Sequence, residues 1–162
     1  MRKLLPFLFL LFITVTHAQD IKLRLSSGLD SLKFHVTTLQ EAEKMLGKPN
    51  NTRKKDGYNT DITYTKLGIE LSFSKRLHNK LWGITIEENS PVVINDSIKV
   101  NSSDTLSLVK VLGFPTEKHR NDLFIEYSYH SNIASSVYFY FNKQGILTSA
   151  LMSEPIVISV DF

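Results

Sequence analysis

The sequence predicts an α+β fold of two tandem repeats, each a short helix packed on an antiparallel sheet. Three observations predict it. Asp30-Ser31-Leu32-Lys33 is answered by Asp96-Ser97-Ile98-Lys99 66 positions later, and Leu46-Gly47-Lys48-Pro49 by Leu112-Gly113-Phe114-Pro115 in the same register, with Lys44 repeated at Lys110. Each Leu-Gly-x-Pro phrase closes a short helix-spaced stretch, and runs of period-two alternation follow each. A repeat of that length suggests two copies of one supersecondary unit.

In the first copy, Ile21, Leu23 and Leu25 alternate with Lys22 and Arg24, Ser26-Ser27-Gly28 punctuates, and Leu32, Phe34 and Val36 alternate again. This reads as strand, turn and strand. Thr38 with Glu41 three residues later forms a capping box, and Leu39, Ala42, Met45 and Leu46 follow helical spacing over about 39–46. Gly47 tolerates the positive φ just past a helix end and Pro49 prevents resumption. A helix this short does not hold in water alone, so its apolar stripe is expected on a sheet.

Asn50 to Thr60, rich in Asn, Lys and Gly, reads as a solvated loop. Ile62 and Tyr64, then Ile69, Leu71 and Phe73, then Trp82, Ile84 and Ile86 read as three successive antiparallel strands joined by hairpins at Lys66-Leu67-Gly68 and Arg76 to Lys80. Glu88 to Pro91 is the expected joint, giving a first repeat over 19–88 and a second over 89–162.

The second copy repeats the order. Val92 to Ile94, a turn at Asn95-Asp96 and Ile98 to Val100 precede an Asp104-capped helix over about 105–112. Strands are expected near Ile125 to Tyr129, Val137 to Phe141 and Ile146 to Leu151, and the alternation of Ile156, Ile158 and Val160 suggests a closing strand.

Arg2 and Lys3, an apolar run from Leu4 to Val15 and the small-residue pattern Thr16-His17-Ala18 have the order of a secretory signal peptide over 1–18. The expected localisation is therefore exported, in the periplasm or the medium. Removal of Arg2 and Lys3 leaves 17 basic against 16 acidic side chains, a balance that gives no reason to expect nucleic-acid binding. With no cysteine in the chain, disulfides, thiolate metal sites and a cysteine nucleophile are excluded. The core must suffice alone, and the two copies are expected to pack together.

The order strand, short capped helix, Leu-Gly-x-Pro, tyrosine-bearing strand and hairpin resembles the repeat unit of the β-lactamase inhibitor protein family and of the SmpA/OmlA envelope proteins. Val93-Ile94-Asn95-Asp96, followed by Leu112-Gly113-Phe114-Pro115 and Tyr127, also looks like an uncharacterised bacterial domain built on that plan. The resemblance covers nearly the whole mature chain as a pattern. It implies a protein-binding scaffold in the bacterial envelope or outside it. The disulfides of the inhibitors and the acylated cysteine of the envelope lipoproteins have no counterpart here, and no binding residue of either family matches position by position.

If each helix covers one sheet face, Ile69, Leu71, Phe73, Val137, Phe139 and Phe141 face the core by period two. The opposite face then carries Glu70, Ser72 and Ser74 from the first copy and Tyr138, Tyr140 and Asn142 from the second. Two tyrosines one pleat apart offer large apolar area with polar tips, a composition enriched in interfaces. The same rings also suit a twisted strand on packing grounds alone. The expected function is a non-enzymatic binding module that meets a protein partner through Tyr138 and Tyr140, with Glu70, Ser72 and Asn142 around them.

Arg53-Lys54-Lys55, Lys75-Arg76 with Lys80, and Lys118-His119-Arg120 fall in expected loops. A second reading has them converge on one rim that touches anionic lipid or cell-wall polymer. His35, His78, His119 and His130 form no helical pair or close ligand triplet, so no metal and no other cofactor is expected. Glu87-Glu88 are neighbours on a strand end and point apart. No Gly-x-Ser-x-Gly elbow, phosphate loop or dinucleotide fingerprint occurs. Triads can still assemble in three dimensions, which leaves an unrecognised hydrolase as a minor third reading.

Overall fold

The computed structural model describes residues 21–25, 28–130 and 136–153. The signal peptide and the closing strand expected at Ile156 to Val160 lie outside the described residues. Among the described residues the fold is mostly β, with two short helices and two sheets.

Strand β1 (Lys22–Arg24) is followed by the small hairpin β2 (Gly28–Leu29) and β3 (Leu32–Lys33), then helix α1 (Leu39–Leu46). Four strands come next: β4 (Asn51–Lys55), β5 (Asn59–Tyr64), β6 (Ile69–Ser74) and β7 (Lys80–Ile86). A second hairpin, β8 (Val93–Ile94) and β9 (Ile98–Lys99), leads into α2 (Thr105–Leu112), and β10 (Glu117–Arg120), β11 (Ile125–His130), β12 (Ser136–Phe141) and β13 (Leu147–Ser153) complete the described chain.

Helix starts and stops obey local chemistry. Thr38 Oγ1 accepts from the Glu41 amide at 3.3 Å while the Glu41 carboxylate accepts from the Thr38 amide at 2.8 Å. Asp104 caps α2 by accepting from the Ser107 amide at 2.7 Å. Gly47 and Gly113 leave the helices with φ of 84° and 78°, a region where a side chain is strained.

The strands form an eight-stranded sheet in the order β10-β11-β12-β13-β7-β6-β5-β4 and a five-stranded sheet in the order β3-β2-β1-β8-β9. All neighbours in the large sheet are antiparallel. In the small sheet β1 pairs with β8 in parallel, with Lys22 opposite Val93 and Leu23 opposite Ile94. The expectation that each helix has its own antiparallel sheet is thereby corrected. Both sheets run continuously through strands from the two ends of the chain, joined by β1 with β8 and by β7 with β13.

One core cluster gathers Leu23, Leu25, Leu29 and Ile94 from the small sheet, Ala42, Leu108 and Leu112 from the helices, and Ile62, Leu71, Phe73, Ile84, Phe139 and Phe141 from the large sheet. The small sheet and helices thus cover a single face of the large one. Val36 is 61% exposed and Met45 50%, so neither joins the core as its spacing suggested. β3 stops at Lys33 because the chain turns through Phe34 to Val36, and the amide of His35 donates to the carbonyl of Leu81 at 2.8 Å.

Two further corrections bear on function. Asn50 to Thr60 is not a loop throughout: Asn51–Lys55 pairs residue for residue with Asn59–Thr63. Glu117–Arg120 likewise pairs with Ile125–Ser128. Both strands are exposed along their whole length and form the outer edges of the large sheet. Charged residues on an edge deter pairing with another chain, which gives both basic runs a structural purpose.

Candidate interaction face

The face of the large sheet turned away from the helices can be built from register alone, because directly opposed residues project to the same side. One row crosses it through Arg53, Asp61, Ser72, Gly83, Ser153, Ser136 and His130. The adjacent row runs through Glu70, Thr85, Leu151, Tyr138 and Ser128. The first row has a floor of small residues. A Cβ on Gly83 would lie 3.2 Å from Ser72 Cβ, so the glycine keeps the centre of the face low.

The set Ile69, Leu71, Phe73, Val137, Phe139 and Phe141 is buried. Glu70, Ser72, Tyr138, Tyr140 and Asn142 are half-buried instead of fully exposed, and Ser74 is buried. Their neighbours explain this. The Tyr138 ring meets the His130 ring edge to face at 5.8 Å, and Tyr140 meets Phe124 at 5.8 Å. Burial pushes the Tyr140 phenol above its ordinary pKa, and the Glu126 carboxylate adds to the effect. Such braced rings keep their orientation and lose little rotamer freedom on contact.

At the other end of the row the face is ionic. Asp61 is 2% exposed, its Oδ1 accepting from Ser72 Oγ at 2.7 Å and its Oδ2 lying 2.8 Å from Lys55 Nζ and 3.5 Å from Arg53. Arg53 also approaches Glu70 at 3.7 Å. Burial favours the neutral acid, yet the Lys55 and Ser72 hydrogen bonds and the two cations outweigh it and hold the Asp61 carboxyl below the ordinary range. Glu70 and Ser72 therefore sit inside a braced network, with Glu70 three inter-strand steps from Tyr138 on the same face.

Asn142 differs from the other expected contact residues. It follows the last residue of β12, and its Oδ1 accepts from the amides of Gln144 and Ile146 at 3.0 Å each, which makes it a turn-former. The three basic groups do not converge. Lys75 and Arg76 lie in a 3-10 turn (Lys75–Leu77) near the β4-β5 turn, where Lys75 Nζ donates to the Gly57 carbonyl at 2.8 Å. Lys118 and Arg120 stand on β10 at the opposite edge, seven inter-strand steps from Arg53 on β4 or about 34 Å along the sheet. Lys118 lies over the Tyr127 ring at 5.2 Å, and Lys54 projects from β4 to the opposite side from Arg53 and Lys55.

Sequence reasoning missed Asp61, His130 and Trp82. A carboxylate inside the apolar stretch Thr60 to Tyr64 was the available signal for Asp61. His130 Nδ1 lies 2.8 Å from Ser136 Oγ, and Glu117 stands 4.0 Å from His130 and 3.8 Å from His119. Among the described residues no group of three or more His, Asp or Glu side chains could hold a metal ion. No helix among them is long and apolar enough to cross a membrane.

No protein-family model matches the chain, and no curated protein sequence matches it. Among solved structures it is similar to the crystal structure of a DUF4309 family protein (YjgB) from Bacillus subtilis, at 13% sequence identity and a TM-score of 0.52, over 76% of this chain and 82% of that one. That likeness shows the fold alone.

Proposed function

We propose that this chain is an exported, non-enzymatic binding module, made by duplication of one strand-hairpin-helix-sheet unit, that recognises a protein partner through the outer face of its eight-stranded sheet. Duplication is supported by the matched positions of the caps: Gly47 and Gly113 end the helices 66 residues apart, and each carbonyl accepts from a tyrosine hydroxyl at 3.0 Å. The resemblance to the inhibitor-protein and envelope-protein repeat points the same way, and the leader-like first residues support export.

The observation that carries the reading is the asymmetry of the outer face. Its inner counterpart is sealed by helices and the small sheet, whereas the outer face keeps two braced tyrosines, Tyr138 and Tyr140, beside a low Ser/Gly floor and a fixed charge network around Asp61. A rigid aromatic anchor next to ordered polar groups is the composition of an interface centre. The anionic-surface reading draws less support, since Arg53 and Lys55 already face Asp61, Lys75 is tied to the Gly57 carbonyl, and Lys118 and Arg120 lie at the opposite edge.

The test is affinity capture from the native envelope with the wild-type chain and with the Tyr138→Ser/Tyr140→Ser variant. A protein enriched by the first and lost with the second, while circular dichroism shows the variant folded at the capture temperature, and with little dependence on salt, supports the reading. Equal capture by both rejects it, and capture that collapses between low and high salt moves the contact to the basic groups.

A further inference from the structure

At the end of the large sheet remote from Tyr138 and Tyr140, beside the β4-β5 turn, lies a cleft of about 470 Å³ lined by Asp56, Tyr58, Asn59, Ser74, Arg76, Leu77 and Trp82. The proposed protein contact does not use it. Its walls follow from local chain geometry. Asp56 and Gly57 both have positive φ, 51° and 65°, and the Tyr58 amide donates to the Lys55 carbonyl, so a tight hairpin turn lifts Tyr58 to the rim. Opposite, Ser72 pairs with Gly83 and Phe73 with Leu81, leaving Trp82 as the extra residue of a bulge. Bulges re-aim side chains, and here the indole is directed into the cleft.

The groups that meet there have complementary chemistry. Tyr58 is 54% exposed, an aromatic platform with the Arg76 guanidinium 4.9 Å from its ring centre. The Trp82 side chain adds a second aromatic wall. Asn59 and Ser74 offer both donors and acceptors. The lining carries one carboxylate and one guanidinium, so its formal charge is balanced.

We infer that the Tyr58–Trp82 cleft is a binding site for a neutral saccharide. A pyranose ring has an apolar face for an aromatic platform, acceptor oxygens for the Arg76 guanidinium, and hydroxyl donors for the Asp56 carboxylate. A strongly anionic ligand would meet the Asp56 carboxylate, and a purely apolar one would strip water from Asp56 and Arg76 without replacing its hydrogen bonds. The volume lies in the range of small-ligand sites and fits one or two sugar rings.

Trp82 is the single tryptophan of the chain, so its emission reports on this cleft. Intrinsic fluorescence should be titrated with tri-N-acetylchitotriose and with cellotriose, with inositol hexakisphosphate as the anionic probe. A saturable shift with at least one trisaccharide is expected, weakened tenfold or more by Tyr58→Ala and by Arg76→Ala and unchanged by Tyr138→Ser/Tyr140→Ser. Both first variants alter exposed side chains, and their melting temperatures establish that they fold. Absence of a saturable response to either trisaccharide, equal responses in the variants, or a stronger response to inositol hexakisphosphate would overturn the assignment. The outcome is independent of the protein contact proposed above.

Discussion

The Tyr129 hydroxyl donates to the carbonyl of Gly113 at 3.0 Å, tying β11 to the end of α2. Tyr64 makes the same bond to Gly47 at 3.0 Å and ties β5 to the end of α1. A helix terminus leaves carbonyls without intrahelical partners, and a buried tyrosine satisfies one while filling the gap between helix and sheet. The Leu-Gly-x-Pro phrase is thus one part of a latch whose other part stands 16 or 17 residues downstream.

Removing the latch should show in stability. Tyr129→Phe keeps the ring against Phe139 but loses the bond, and should cost about 1 kcal/mol in urea unfolding. Tyr64→Phe should cost a similar amount. Unfolding midpoints equal to wild type in both variants would show that the bonds contribute nothing.

The same residue predicts alkaline behaviour. Burial raises the Tyr129 phenol well above its ordinary pKa of 10.0, with Tyr127 adding to the shift, so the unfolded chain ionises first. This contribution to stability is complete below about pH 10 and is lost as pH rises beyond it. Stability measured from pH 9 to 11 should fall for the wild type and fall less steeply for Tyr129→Phe.

Asp61 predicts the opposite limb. Its folded pKa is depressed below the ordinary 3.8, so its contribution is present above that value and is lost as pH falls through the lower folded one. Asp61→Asn should destabilise the protein at neutral pH and flatten the decline in stability below about pH 4. An acid limb identical to wild type would contradict the network described around Arg53, Lys55 and Ser72.

The latch also marks where sequence reading stops. Both helices are legible because their caps are local: Thr38 with Glu41, Asp104, and the two glycines act within a turn or two. β4 and β10 are illegible because an exposed edge strand has no apolar alternation, and Arg53-Lys54-Lys55 or Lys118-His119-Arg120 look like solvated loop until their partners β5 and β11 are seen. The motif tyrosine of the second half is Tyr129 and not Tyr127, because Tyr129 is the one whose hydroxyl reaches the Gly113 carbonyl, 16 residues on against 17 in the first half. The parallel pairing of β1 with β8 joins residues about 70 apart, and period two carries no information on such partners. At the interaction face, Tyr138, Tyr140, Glu70 and Ser72 can be placed by alternation, whereas Asp61 and the bulged Trp82 depend on register.

Edge protection supplies a fourth prediction. Replacing Arg53, Lys54 and Lys55 together with threonine, and Asp61 with asparagine so that no buried carboxylate is left unpaired, leaves β4 strand-forming but removes its charge. The variant should elute as larger species in size-exclusion chromatography at concentrations where the wild type does not. Identical elution would assign these cations no protective part.

The most direct measurement on the outer face is site-specific photo-crosslinking in the native envelope. A photoreactive phenylalanine analogue at Tyr140 should yield a covalent adduct of one defined mass, while the same analogue at Leu106, exposed on α2, should yield none of that mass. An adduct formed from Leu106 and absent from Tyr140 would contradict the account, because contact would then run through the side of the molecule that carries the helices.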